Sequence, residues 1–184
     1  MTYNFIRYVN LQEDSYKELE LKKLTYARDD LAPVASENTL NYHYGKLARG
    51  YVDRYNKGEG DPEFNKAGAF LHNIYFAQFC KPDTFKSPTP AINDFILKYF
   101  KGGFNEFKEE FEKEAMKIQG SGWIYLSKNG KIKTIKNHAI RNDILLLIDW
   151  WEHAWALDYL ADKKKYLENQ WKIINWEHIY GILG

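Results

Sequence analysis

Apolar positions recur at helical spacing from Leu40 to Tyr55, placing Leu40, His43, Tyr44, Leu47 and Tyr51 on one face. Ser36-Glu37-Asn38-Thr39, shortly after Pro33, has the residue types of a helix entry. A turn signal at Lys57-Gly58-Glu59-Gly60-Asp61-Pro62 separates this segment from a second one, 63–79, that is apolar nearly all round and therefore expected to be buried. Two helices joined by so short a turn form an antiparallel hairpin. The Pro-containing loop from Lys81 to Pro90 is the expected boundary between a hairpin domain (20–82) and a second domain (88–184). Residues 1–19 form a mixed, polar N-terminal extension, with room for a helix or an arm. Beyond the loop the pattern predicts helices at 91–99 and 105–119, the latter carrying Phe107, Phe111, Ala115 and Ile118 at helical spacing. A strand (123–126), an Asn129-Gly130 turn and a second strand (132–136) follow. The unbroken apolar run Ile144–Ile148 predicts a third strand buried on both faces, and helices at 151–160 and 164–174 close the chain. The expected class is α+β: an N-terminal antiparallel α-hairpin, then a mixed domain with a three-stranded antiparallel sheet flanked by helices.

Composition narrows the function classes. With 184 residues, the chain is long enough for one compact domain or two small layers sharing a core. Lys and Arg total 26 against 25 Asp and Glu, a net charge of +1, so no strongly basic face for nucleic acid is expected. Cys80 is the sole cysteine, which excludes an internal disulfide and fits a reducing compartment. No apolar segment is long enough to span a bilayer, and Met1-Thr2-Tyr3-Asn4-Phe5-Ile6-Arg7 lacks the apolar centre of a signal peptide. The expectation is a soluble, cytoplasmic protein without membrane contact.

The candidate chemistry centres on Asp149-Trp150-Trp151-Glu152-His153-Ala154, directly after the third strand. A carboxylate and an imidazole four residues apart can point the same way, and two Trp beside them keep water out. Such a pair is costly to bury unless it binds something, and a metal ion answers that cost. Of the five His, His43 lies on the apolar face of the first hairpin helix and His72 within the buried second one. Singly, each reads as a core histidine. Together with Asp149 and His153 they give three imidazoles and one carboxylate from apolar elements that must pack on a common core. That set suits Fe, Mn or Zn, and spacing does not choose among them. A zinc hydrolase is the reading of another class, but no separate general base stands near the motif.

Several motifs resemble the iron/manganese superoxide dismutase family. Asp149 to Ala154 is similar to its D-x-W-E-H-A signature, and Leu24-Thr25-Tyr26 through Leu31-Ala32-Pro33 to its N-terminal L-P-Y-x-x-x-x-L-x-P. Tyr42-His43-Tyr44-Gly45-Lys46, Phe64-Asn65 through His72, Gln119-Gly120-Ser121-Gly122-Trp123 and Asn175-Trp176-Glu177 resemble further motifs of the family. The resemblance implies that His43, His72, Asp149 and His153 hold one Fe or Mn ion per subunit. It implies superoxide as substrate and a homodimer as assembly. It also assigns Tyr51 to the substrate funnel, Trp123 and Trp151 to the aromatic wall, and Glu152 to a contact across the dimer with the other subunit's ligand histidine. The family places a Gln near the bound solvent from one of two positions. Here one holds Gly68 and the other His138, so His138 is expected to take that part, while His178 is expected to be structural.

The chain also departs from the family. Leu47 and Ala156 stand where the resemblance predicts a His and a Tyr joined by an intersubunit hydrogen bond. Loss of both partners together leaves no stranded polar group. The alternative reading is therefore a metal-binding homologue with weak or no dismutase activity because of this altered gateway.

Overall fold

The computed structural model describes residues 17–82, Thr84 and 87–183, so the helix or arm expected near the N-terminus falls, for residues 1–16, outside the described residues. The first hairpin arm starts at Ser36, whose Oγ accepts from the Thr39 amide at 3.1 Å, capping α1 (Glu37–Tyr42). Without a break the arm passes into a π-helical segment, His43–Ala48, and then α2 (Arg49–Asn56). Sequence spacing predicts one regular helix here; the π segment is the difference. Gly58 and Gly60, with φ of +68° and +70°, carry the turn. Asp61 then caps α3 (Pro62–Ala77), its Oδ1 accepting from the Phe64 amide at 2.8 Å, with Pro62 in the first turn. As the all-round apolar pattern predicts, α3 is buried along most of its length, including Ala67, Gly68, Leu71, His72, Tyr75 and Phe76.

Ahead of the hairpin, residues 17–24 lie outside helix and sheet and run across both arms. Two asparagines fasten them. Asn56 accepts from the Leu19 amide and donates to the Leu19 carbonyl, at 2.8 and 2.9 Å. Asn73 accepts from the Lys22 amide and donates to the Glu20 carbonyl, both at 2.8 Å. Leu21 is thereby pressed into the core.

After the Pro-containing loop come α4 (Pro90–Tyr99), capped by Thr89, and α5 (Gly103–Met116). The antiparallel sheet has β1 (Gly122–Ser127) between β2 (Ile132–Lys136) and β3 (Ile144–Asp149). The β1–β2 connection is the four-residue stretch Lys128 to Lys131, built around the expected Asn129-Gly130 turn, with the Gly130 amide donating to the Ser127 carbonyl at 2.9 Å. Gly130 sits at φ +75° against the Tyr99 ring, where a Cβ would come within 2.2 Å of an aromatic carbon. All of β3 is buried, as its continuous apolar run predicts. Its outer edge is closed by Gln78, which donates to the Leu147 carbonyl and accepts from the Leu147 amide at 3.1 Å.

The C-terminal helices differ most from expectation. In place of a helix over 151–160 there is a single 3₁₀ turn (Glu152–Ala154) and a short α6 (Ala156–Tyr159). Past the end of β3 the Asp149 carboxylate accepts from the Trp151 amide and faces His153, so the chain turns here instead of running on as one helix. α7 (Lys163–Gln170) ends earlier than predicted, and α8 (Trp176–Leu183) was not expected; its buried Trp176 and Ile179 mark an inward face. One hydrophobic cluster runs through the hairpin, the sheet and the C-terminal helices, so the two segments share a core.

Candidate metal centre

His43 projects from the π segment, where the widened turn alters the direction of side chains relative to a regular helix. His72, on α3, is wholly buried, and its Nδ1 lies 2.7 Å from the Gly68 carbonyl. That bond puts the ring proton on Nδ1 and leaves the Nε2 lone pair free. Asp149 ends β3 directly opposite Trp123 of β1, so both side chains leave the same face of the sheet toward the hairpin. Its Oδ1 accepts from the Trp151 amide at 2.7 Å, which fixes the carboxylate plane. His153 follows on the 3₁₀ turn.

These four residues converge. Asp149 Oδ2 lies 3.1 Å from His43 Nε2, 3.3 Å from His153 Nε2 and 3.7 Å from His72 Nε2. One ligand atom from each of the four lies within 4.8 Å of every other. Ligand bonds of about 2.1 Å to a common ion give edges of roughly 3.0 to 3.6 Å between neighbouring ligands. His43 Nε2 and His72 Nε2 are buried and lack any hydrogen-bond partner. Two unpartnered lone pairs facing a carboxylate are costly in a core and are satisfied by a cation. The donor set therefore fits an ion, as predicted from sequence.

The local electrostatics point the same way. Burial pushes His43 down to about 4 against the pull of Asp149, and pushes His72 well below its ordinary value. Both are neutral near pH 7, the form that binds metal. Burial opposes ionisation of Asp149, but the adjoining His153 and His43 outweigh it and hold the carboxyl below its usual range.

Around the cluster stands an aromatic wall. His138 is buried, and its Nδ1 accepts from Trp123 Nε1 at 3.1 Å while its Nε2 lies 2.9 Å from the Tyr51 hydroxyl. An indole N–H only donates, so the His138 proton sits on Nε2 and is given to Tyr51. Burial pushes His138 down to about 4, keeping it neutral, and pushes Tyr51 up to about 12, keeping its hydroxyl protonated. The Trp151 ring stacks on His138 at 4.5 Å between centroids and on His153 at 5.7 Å. Tyr51 lies flat against Gly68, where a Cβ would approach ring carbons to 2.8 Å.

Sequence reasoning missed three further neighbours. The Phe64 ring is 4.7 Å from His138. Tyr166 donates its hydroxyl proton to the Asp149 carbonyl at 3.0 Å, and Tyr75 is hydrogen-bonded to Tyr166 at 3.1 Å. Tyr75 is three residues past His72 on one helix face, a spacing that could have flagged it; nothing in the sequence flags Tyr166. Glu152 is exposed, beside a surface cavity of about 530 Å³ lined also by Trp155, Ala156 and Leu160, and among the described residues it joins no ligand. His178 is remote from the cluster in α8, its amide bonded to Asn175.

Comparison with known proteins gives this centre its context. Residues 88–181 match the model for the C-terminal domain of iron/manganese superoxide dismutases, and residues 18–63 match that for their alpha-hairpin domain. The chain belongs to the iron/manganese superoxide dismutase family. It is 37% identical to the Mn/Fe superoxide dismutase of Porphyromonas gingivalis over 86% of this chain and 95% of that protein. The Fe superoxide dismutase of Bacteroides fragilis is 35% identical over the same shares, and that of Escherichia coli 33% identical over 87% and 95%. Membership and near full-length coverage make the chain a superoxide dismutase of the Fe/Mn type, with a cluster able to hold one such ion. Among the described residues no helix is long and apolar enough to cross a membrane.

Proposed function

We propose that His43, His72, Asp149 and His153 hold the iron or manganese ion, that Tyr51, His138, Trp123 and Trp151 serve turnover from the wall around it, and that two copies of the chain assemble through the Glu152 face. The overall reaction is 2 O₂⁻ + 2 H⁺ → O₂ + H₂O₂. The bound ion would supply a one-electron couple; the rest of the task, binding an anion and supplying two protons, falls to the protein.

The carrying observation is the convergence of three imidazoles and one carboxylate, two of the imidazoles without any partner. One negative charge among four ligands leaves a di- or trivalent cation with net positive charge, which attracts superoxide in a low-dielectric pocket. Trp123 orients His138, His138 donates to the Tyr51 oxygen, and the Tyr51 proton is then free to point elsewhere, toward a bound anion or solvent. Because Tyr51 is held protonated, it acts as a hydrogen-bond donor and relay near neutral pH. Phe64 and Trp151 flank this pair and exclude bulk water.

The proposed dimer draws support from Glu152, a carboxylate exposed between the half-buried Trp151 and His153. The exposed Leu157 and Leu160, with the Ala156-lined cavity, give the same face an apolar margin. A cytoplasmic location is proposed with it, in keeping with the lone Cys80.

The test is superoxide decay by protein loaded with Fe or Mn, set against metal-free protein and free ion. No acceleration beyond free ion overturns the assignment. Sedimentation of wild type and Glu152→Ala tests the assembly: a dimer weakened by the substitution is expected, and a wild-type monomer at micromolar concentration rejects it.

A further inference from the structure

Arg54 lies one helical turn beyond Tyr51 on α2, so both face α3. Its guanidinium carbon sits 5.0 Å from the centre of the Tyr51 ring, within cation–π range. The side chain is held there: Nε donates to Asn65 Oδ1 at 3.1 Å. Asn65 is buried, and its Nδ2 donates to the Glu59 carbonyl at 2.9 Å, which ties the arrangement to the short interhelical turn. Arg54 is nonetheless exposed and forms no ion pair among the described residues. A positive charge without a carboxylate partner is thus fixed beside the tyrosine that borders the metal centre.

The charge matters because the chain has little field to spare. A net charge of +1 over 184 residues gives no bulk attraction for an anion. Leu47 and Ala156 add no polar group of their own. An exposed cation beside Tyr51 raises the local potential over about one Debye length, roughly 8 Å at physiological salt.

We infer that Arg54 is an anion-guiding residue at the approach to the metal centre, drawing superoxide toward Tyr51 and Phe64. The inference rests on the dismutase activity and concerns a residue outside the ligand set and the His138–Tyr51 relay. Its test uses the metal-loaded protein with two readouts: the second-order rate of superoxide loss as a function of ionic strength, and the affinity for azide, a small anion that requires no turnover, followed by absorbance. Arg54→Met is expected to lower the low-salt rate and the azide affinity by roughly 3- to 10-fold, with the rate deficit closing at high salt. Arg54→Lys, which keeps charge but cannot reproduce the bond to Asn65 in the same geometry, is expected to retain most of both. Lys98→Gln, the same loss of charge on α4, a helix that supplies nothing to the site, is expected to change neither. If Arg54→Met keeps the wild-type salt slope and azide affinity, or Arg54→Lys is as impaired as Arg54→Met, the role is structural and the inference falls. If azide binding depends on Arg54 while no form turns over superoxide, guidance stands and the dismutase reading fails instead.

Discussion

At the scale of single residues, His138 shows how one side chain can carry two opposite hydrogen bonds. Its Nδ1 accepts from Trp123 and its Nε2 donates to Tyr51, so a replacement must offer an acceptor and a donor at similar places. Glutamine does this with Oε1 and Nε2. His138→Gln is therefore expected to keep activity per bound metal within roughly tenfold, whereas His138→Leu is expected to lose about 10- to 100-fold. The leucine variant should also be less stable to urea by about 1 to 3 kcal/mol, because the buried Trp123 N–H loses its partner. Equal activity in the two variants would remove His138 from the relay. Gly68 has a different constraint. A Cβ there meets the Tyr51 ring at 2.8 Å, so the position against this tyrosine is reserved for backbone. Gly68→Ala is expected to cost about 1 to 3 kcal/mol in chemical denaturation and to displace Tyr51; an unchanged midpoint would show that the ring moves aside freely.

At the scale of elements, much of the architecture was legible because most elements here have one strongly apolar face. The hairpin, the buried α3 and the all-apolar β3 follow from period and burial alone. Even so, the π segment was not visible, since His43, Tyr44, Leu47 and Tyr51 fit a regular helix equally well on paper. The helix expected over 151–160 failed for a physical reason: Asp149 bonds the Trp151 amide, and His153 must turn back toward Asp149, which a 3₁₀ turn allows. The convergent cluster could be anticipated because metal-binding residue types are rare in apolar elements, while Phe64 and Tyr166 looked like ordinary core aromatics. The segment before the hairpin is an element of another kind, irregular backbone fastened by side chains. Asn73→Ala removes both bonds to Glu20 and Lys22 and is expected to cost about 1 to 2 kcal/mol. Hydrogen exchange at residues 19–24 should quicken well before that of β3; equal rates would show that Leu21 alone anchors the segment.

At the scale of the whole molecule, the centre joins stability to acidity. His43 is held neutral to about pH 4, against 6.5 for an ordinary histidine, because burial disfavours its charged form. Between those values the unfolded chain takes up a proton that the folded metal-free protein refuses. Stability is thus fully present above about pH 6.5 and declines as pH falls toward 4, on the order of 3 kcal/mol for His43 alone. Melting of metal-free protein across pH 4 to 7 should show the decline, and a flat profile would contradict the burial of the cluster. Gln78 has a consequence of another sort. By occupying both the amide and the carbonyl of Leu147, it seals the lateral border of the sheet nearest the hairpin. The opposite border, β2, carries the exposed Lys136 together with Lys133, which is paired with Asp143 at 2.6 Å, charged side chains that disfavour a stacking neighbour. Among the described residues, each border of the sheet thus carries a device against adding a strand for fibril growth. Gln78→Leu should reopen one side, visible as thioflavin-positive aggregates on prolonged warming, while the parent stays clear.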